Sequence, residues 1–551
     1  MSAEKVQFSI GIDLSTQTVS ATLVGVTEKG SAPSGLVLAG TSRACRPCAG
    51  EIERKTPGVW VGLVRELIDE LKEISPEASK ARSIGLSTTF PGIFAILRDG
   101  STDTELASLY DNTDDAGVCS GAFDELLACA EAETRNRMWP GNMAVGLVRL
   151  VKLQGLRVDE AAALVPPNTA FAYQLLKEAG YATEPGALPS DLTQTIIGGL
   201  YDARTAQPLP PRVARLIEEA AADIDLGRLR QLLPSAVPSW RNIIPDGALS
   251  GVRQLLGLPD LAAVSIGAGD SPLGALALCQ DPDTVLNVRG SSDSPMITVD
   301  LPGPSPIDAA VAGEKKGAWR ETVLHYPVPT VTCAADSPWC AVAPMLRSGK
   351  VWDWVRRLRF AEDQLDADTE LERLATAALK RRLSSRAAPL VFDTALGGER
   401  APDWDSRATG KLTGLVEAHT IGDIALAALE GMSARLRECI KLMESRYQAK
   451  PTKLLLAGGP VRNKLWNWIT ALVTGKQTFA TEFTDASLLG AAMLGYATCY
   501  DGRESDQAVS LRLRSLSRIA ARHPQVAPGP VSPPDEELAR LESDYARSVA
   551  P

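Results

Sequence analysis

Apolar side chains recur at Trp60, Leu63, Val64, Leu67, Ile68 and Leu71, a helical spacing that predicts an amphipathic helix over Val59–Glu73. Shorter apolar runs surround it. Phe8–Ile12 and Ala21–Val26 predict a β-hairpin, Leu36–Ala39 a third strand, and Arg82–Ser87 and Gly92–Leu97 two strands around Thr88-Thr89-Phe90-Pro91. From about 114 to 260 the pattern turns mostly helical, with loops at Pro166-Pro167 and Glu184-Pro185-Gly186. A fresh strand, Ala262–Gly267, then runs into Gly269-Asp270-Ser271 and an Ala/Leu-rich helix to Leu278. Thr284–Asn287 and Met296–Val299 predict strands around Arg289-Gly290-Ser291-Ser292-Asp293. A helix at about 420–447, a strand at Lys453–Leu456 and helices at 461–473 and 486–499 complete this half. A strand leading into an acidic, hydroxyl-bearing turn thus occurs in each half, which predicts two related lobes facing one cleft. Pro524, Pro528, Pro530, Pro533 and Pro534 mark an exposed tail with one helical stretch, Asp535–Ser548.

Composition narrows the class. With 551 residues, 45% hydrophobic and 23% charged, the chain reads as an ordinary globular protein of more than one domain. A net charge of −10 argues against nucleic acid or an anionic membrane as the main partner. No basic region followed by an apolar run opens the chain and no apolar span reaches membrane length, so a soluble cytoplasmic protein is expected. The nine cysteines are scattered, as free thiols in a reducing compartment would be. Cys45-Arg46-Pro47-Cys48 is the only close pair, and with three distant histidines it predicts loop thiols rather than a zinc site.

Four segments carry candidate chemistry. Asp13 leads into Leu14-Ser15-Thr16-Gln17-Thr18 between the first two strands. Backbone N–H groups of such a turn, with the hydroxyls of Ser15, Thr16 and Thr18, suit phosphate oxygens. A carboxylate beside phosphate repels it unless a metal ion intervenes, usually Mg²⁺; a plain hairpin turn carries the same residue types. No GxxxxGK[ST] follows the strand, so this is not a Walker A loop, and no GxGxxG with a following acidic residue marks a dinucleotide site. Gly267-Ala268-Gly269-Asp270 bends the chain through small residues and sets Asp270 at a helix start, as a cap or as the acceptor of a substrate hydroxyl proton in phosphoryl transfer. Gly290-Ser291-Ser292 reads as a second phosphate cradle or a hairpin turn, and Arg289 beside it as a phosphate contact or a surface ion pair. Leu454-Leu455-Leu456-Ala457-Gly458-Gly459 runs a buried strand into a helix start, where backbone can lie against an aromatic base or simply turn tightly.

The stretch Leu396-Gly397-Gly398-Glu399-Arg400-Ala401-Pro402-Asp403-Trp404-Asp405-Ser406-Arg407-Ala408-Thr409-Gly410 resembles the G-E-R-x-P-x-x-D-x-x-A-x-G segment of the FGGY carbohydrate kinases, within the actin/sugar-kinase/chaperone ATPase superfamily. Gly414-Leu415, His419-Thr420 and Ala428-Leu429-Glu430-Gly431 follow as they do there. The Asp13 turn, the Asp270 element, Gly290-Ser291-Ser292, Gly458-Gly459 and Asp485-Ala486-Ser487-Leu488-Leu489-Gly490-Ala491-Ala492 match in order, so the resemblance covers about residues 8–500.

That resemblance implies an α/β fold of two ribonuclease H-like (actin-like ATPase) lobes with a cleft between them. The first lobe would span 1–260, with the sugar site and first phosphate turn; the second 261–503, with the catalytic aspartate and ATP site; the tail would be 504–551. It implies ATP-dependent phosphorylation of a hydroxyl on a sugar, ketose, polyol or cyclitol, with ATP and Mg²⁺ as cofactors. Asp270 would be the general base and Asp13 would hold Mg²⁺, directly or through water. Ser15, Thr16 and Gln17 would surround the transferred phosphoryl group, Gly290, Ser291 and Ser292 the distal phosphates, and Gly458, Gly459 and Asn463 the adenosine. Family members are often homodimers. A catalytically weak, regulatory relative is the alternative, and retention of both Asp13 and Asp270 speaks against it.

The sugar-facing positions depart from the family. Thr88-Thr89-Phe90-Pro91-Gly92 stands where pentulokinases have a Gln-Met-His-Gly-type element, and Tyr110-Asp111-Asn112-Thr113-Asp114 where many members have Trp-Asn-Asp-x-Arg. The lysine of a Lys-Leu-Leu-Trp helix is missing near Gly146-Leu147-Val148-Arg149-Leu150. Phe90, Tyr110, Asp111, Asn112 and Asp191 are the candidate substrate contacts. An unusual polyol or modified sugar is as plausible a substrate as xylulose or ribulose.

Overall fold

From Ser9 onward every residue of β1 (Lys5–Leu14) is buried, as in a strand covered on both faces. The computed structural model describes residues 5–15, 18–29, 32–47, 55–222, 224–279, 281–300, 320–361, 364–385, 389–481 and 485–520. β1 pairs antiparallel with β2 (Thr18–Lys29), and β2 with β3 (Ala32–Pro47), so the predicted hairpin and third strand are present and longer than their apolar cores. Helix α1 (Pro57–Ile74) buries Trp60, Val61, Val64, Leu67, Ile68 and Leu71 and carries the chain across to β4 (Ser83–Thr88), which joins the other edge of β1 in parallel. β5 (Gly92–Leu97) lies between β6 (Thr102–Leu109) and β7 (Ala161–Val165) in a separate antiparallel sheet. β6 and β7 escaped the sequence reading. Asp103 and Glu105 break the apolar run of β6, and β7 is a five-residue run that periodicity does not separate from helix. Helix α2 (Leu192–Ile197) is short and wholly buried. β8 (Ala263–Val264) and β9 (Ala268–Gly269) both add in parallel to β4, and α3 (Asp270–Leu278) starts directly from β9.

In the second unit, β10 (Thr284–Arg289) pairs antiparallel with β11 (Asp293–Val299). Helix α4 (Gly349–Arg357) and the small hairpin of β12 (Val391–Asp393) and β13 (Lys411–Thr413) follow, then the long helix α5 (Ile421–Tyr447). β14 (Lys453–Ala457) joins β10 in parallel, α6 (Lys464–Thr474) follows it, and β15 (Gln477–Ala480) joins β14 in parallel. The order β11-β10-β14-β15 repeats the order β2-β1-β4-β8 of the first sheet. The internal echo predicted from the sequence is therefore a repeated ribonuclease H-like topology, and the α/β fold with two such lobes is what the chain adopts.

The chain returns to the first unit through α7 (Ala486–Thr498) and α8 (Asp506–Ala520). Among the described residues, one unit comprises those up to Cys279, those between Val299 and Cys340, and Ala486–Ala520; the other comprises Asp281–Thr298 and those between Ala341 and Asp485. This division differs from a break at 260/261. Pairing of β8 and β9 with β4 holds Asp270 to the first unit, and α7 returns because Gly11 and Gly85 leave β1 and β4 bare enough for a helix backbone to approach. Thr16, Gln17, the Cys45 and Cys48 side chains, and the tail beyond Ala520 with its proposed helix Asp535–Ser548 lie outside the described residues. Among the described residues no helix is long and apolar enough to cross a membrane.

Candidate active site

Three parallel strands of the first unit, β1, β4 and β9, finish at the same edge of the sheet. Asp13 and Ala268 both stand opposite Ser87, one on each side of it, so their backbones are about 10 Å apart, two strand spacings. Open α/β sheets bind ligands outside such carboxyl ends. Asp13 and Asp270, both singled out in the sequence because apolar strands end in polar turns, follow strands that finish at this edge.

Asp13 is buried, with 7% exposure, and the Ser87 hydroxyl donates a short hydrogen bond to its Oδ1. The turn beyond it is closed by Ser15, whose N donates to the Thr18 carbonyl at 3.0 Å and whose Oγ donates to the same oxygen at 2.9 Å. Its tip, Thr16-Gln17, is not described. Among the described residues no group of three or more His, Cys, Asp or Glu side chains could cage a metal ion. The Asp13 carboxylate is a donor of the kind Mg²⁺ ordinarily takes one or two of, completing its shell with water and substrate phosphate.

Asp270 is the first residue of α3 and is half-buried. Gly269, not Asp270, is the cap residue; Asp270 Oδ1 accepts from Ser271 N at 2.5 Å and Ser271 Oγ at 3.2 Å. A carboxylate in a first helical turn is favoured by the helix dipole. The Phe90 ring lies against Gly269 so closely that a Cβ there would sit 2.5 Å from it. Phe90 also meets Tyr326 edge-on, with ring centroids 5.6 Å apart. Burial first, then Cys340 and the Asp270 charge, push the Tyr326 hydroxyl well above its ordinary acidity range. Cys340 and Tyr326 went unnoticed in the sequence, where nothing marks them.

Asp191 has a different task from the substrate contact expected of it. It is fully buried at the start of α2 and accepts from Thr193 N at 2.8 Å, Thr193 Oγ1 at 2.7 Å, Ser239 Oγ at 2.9 Å, Asn168 Nδ2 at 3.1 Å and Gln194 N at 3.2 Å. Burial pushes its carboxyl up to about 6 against the pull of those hydrogen bonds. Thr193 Oγ1 in turn accepts from Gly269 N at 3.2 Å, so Asp191 positions the residue before Asp270. Asp191→Asn would turn an amide NH₂ toward backbone and side-chain donors. We expect it to cost about 1–3 kcal/mol of stability in chemical denaturation; an unchanged midpoint would show that the five donors do not need the second oxygen.

Gln194 is the residue that sequence reading missed. Its Nε2 donates to Thr88 Oγ1 at 2.7 Å, while its Oε1 is buried without a protein partner. A buried orphan acceptor beside the strand ends is matched by a ligand hydroxyl or a water. Tyr110, Asp111 and Asn112 occupy the turn after β6. The Tyr110 carbonyl accepts from Trp139 Nε1 at 3.3 Å, Asn112 Nδ2 donates to the Asp114 carbonyl at 2.9 Å, and Asp111 is exposed.

In the second unit the Gly290-Ser291-Ser292 turn is capped by the start of α4, where Gly349 N donates to the Gly290 carbonyl at 3.0 Å and Ser348 N to the Ser291 carbonyl at 3.1 Å. Gly458 has φ +96°, and a Cβ on it would lie 2.0 Å from the Arg289 carbonyl oxygen, so only glycine fits. Gly459 has open space around its Cα. Asn463 caps α6, its Oδ1 accepting from Trp466 N at 2.8 Å. Arg289 is neither a phosphate contact nor a surface ion pair: it is fully buried under the turn. In the run around Glu399, the buried Glu399 carboxylate accepts from Leu346 N at 3.1 Å and Arg400 N at 2.8 Å and faces Arg435, which also binds Asp403 at 2.8 Å.

Residues 320–499 match the model of the FGGY family of carbohydrate kinases, C-terminal domain. The chain is 28% identical over 239 residues to a gluconokinase of Bacillus subtilis, an overlap of 41% of this chain and 46% of that protein. It spans about half the length of the curated relatives it matches. Among solved structures, the ligand-bound xylulose kinase of Lactobacillus acidophilus superimposes with a TM-score of 0.72 at 19% identity, covering 98% of this chain and 96% of that one. The gluconate kinase of the same organism gives a TM-score of 0.72 at 18% identity, covering 98% and 97%.

Proposed function

We propose, for a chain that belongs to the FGGY family of carbohydrate kinases, that it transfers the γ-phosphoryl group of ATP to a hydroxyl of a sugar, sugar acid, polyol or cyclitol. The observation that carries this reading is the pair of carboxylates, Asp13 and Asp270, at the ends of parallel strands on either side of β4. Asp270 is the general base: its carboxylate takes the acceptor hydroxyl proton as the oxygen attacks phosphorus. Phe90 and Tyr326 form an apolar wall beside that carboxylate and exclude water from it. Gln194, with an unfilled acceptor, orients a second hydroxyl of the acceptor. Asp13, steadied by Ser87, is the residue that would hold Mg²⁺, whose charge neutralises the phosphates when bound. In the second unit, the Gly290-Ser292 turn offers donors to the distal phosphates, and Gly458, Gly459 and Asn463 border the adenosine.

The reading is tested by ADP formation from Mg-ATP across gluconate, pentuloses, hexuloses, tetritols, pentitols, glycerol and cyclitols. Gluconate belongs in the panel because a gluconokinase is among the relatives. One acceptor that raises ADP formation and appears as its phosphate ester supports the assignment and names the substrate class. ATP bound but never turned over on any acceptor would count against it.

A further inference from the structure

We propose that Arg289 is a positioning residue for nucleotide: from beneath the Gly290-Ser292 turn it ties that turn to the Gly458–Asn463 segment, so that both meet one nucleotide in a fixed register. This rests on the reading that those two segments hold ATP.

The side chain ends β10 and lies fully buried. Its guanidinium stacks 4.3 Å over the Trp466 ring, donates through Nη1 to Asn467 Oδ1 at 2.9 Å and through Nη2 to Thr470 Oγ1 at 2.5 Å. Asn467 Nδ2 then donates to the Val461 carbonyl at 2.7 Å, inside the single 3₁₀ turn Gly459–Arg462. Thr470 Oγ1 passes the connection on to Ser433 of α5 at 3.0 Å. On the turn's other side, Nε lies 3.8 Å from Asp293, the first residue of β11. The backbone of the same residue touches the second segment, since its carbonyl fills the space a Cβ on Gly458 would need. One residue therefore braces both segments, by its carbonyl and by its fork.

The brace is not a cheap way to fill a core. A desolvated guanidinium whose Nε makes no hydrogen bond is costly, and a buried ion pair such as the one it forms with Asp293 is by itself a weak source of stability. What an apolar residue lacks is the planar fork that reaches two acceptors one helical turn apart, Asn467 and Thr470. Lysine, a single point donor, cannot span them.

The test is the affinity for ADP by titration calorimetry, with thermal unfolding recorded on the same proteins. Arg289→Lys is expected to weaken ADP about tenfold, and Thr470→Val about threefold, while Thr470→Ser, which keeps the hydroxyl, binds as the wild type does. The Thr470 pair decides the matter if the Arg289 variant does not fold. Wild-type ADP affinity in Arg289→Lys or Thr470→Val alongside a lowered melting temperature would overturn the brace and leave a purely structural cluster. A wild-type protein that binds no ADP would overturn the nucleotide reading itself, and the brace with it.

Discussion

Asp270→Asn is expected to lower phosphoryl transfer about 10³-fold while leaving ADP affinity unchanged. The amide keeps the acceptor that Ser271 N uses at 2.5 Å, so α3 starts as before and the fold has no reason to change. What it loses is the ability to take a proton. Phosphoryl transfer asks the protein mainly for positioning and charge neutralisation, yet the acceptor hydroxyl must shed its proton somewhere, and Asp270 is the carboxylate at the end of β9. Steady-state ADP formation with the acceptor found in the panel reads kcat, and calorimetry reads ADP binding. A variant with wild-type kcat would remove Asp270 from the chemistry, and equal losses of kcat and ADP affinity would mean that the substitution disturbed more than the base.

The residues most legible in the sequence were those that end apolar strands. Asp13, Asp270, Gly290 and Gly458 were all singled out as candidates because a buried strand must stop in a turn, and polar or glycine-rich turns stand out against apolar runs. The same logic could not see Gln194 or Tyr326. Gln194 sits in a six-residue helix without amphipathic pattern, and Tyr326 in a four-residue strand; both matter only through partners far away in sequence. Asp191 misled for a related reason. An acidic residue ahead of Leu192-Thr193-Gln194 looks alike whether it meets substrate or caps a helix, and only the five donors around it decide. Arg289 failed on burial: beside a polar turn it looked exposed, and the stacking on Trp466 is a tertiary fact. Unit boundaries were hidden as well, because pairing along β4 recruits segments 180 residues downstream of it.

Gly85→Ala should be the most damaging single-methyl change in the first unit. Gly85 lies at the middle of β4, and a Cβ there would stand 1.7 Å from the Ala491 carbonyl oxygen and 2.7 Å from Gly495 N. Both obstacles are backbone of α7, so no side-chain rotation relieves them, and the whole helix must retreat from the sheet. α7 is also pressed onto α3, since a Cβ on Gly490 would meet the Leu273 carbonyl oxygen at 2.1 Å. A helix that leaves β4 therefore also loosens the one that begins with Asp270. The expected cost is about 3 kcal/mol or more, read as a lower denaturant midpoint or as loss of soluble protein. Gly62→Ala is the comparison: on α1 its Cβ meets nothing within 4 Å, and alanine there should be neutral or stabilise by up to about 1 kcal/mol. Equal midpoints for the two variants would mean that α7 rides on the sheet loosely enough to move, and Asp270 would then need some other support than the stack of α7 on β4 and α3. A large difference, with residual ATP turnover in Gly85→Ala falling further than its folded fraction, would place the packing of α7 among the determinants of the reacting geometry rather than of folding alone.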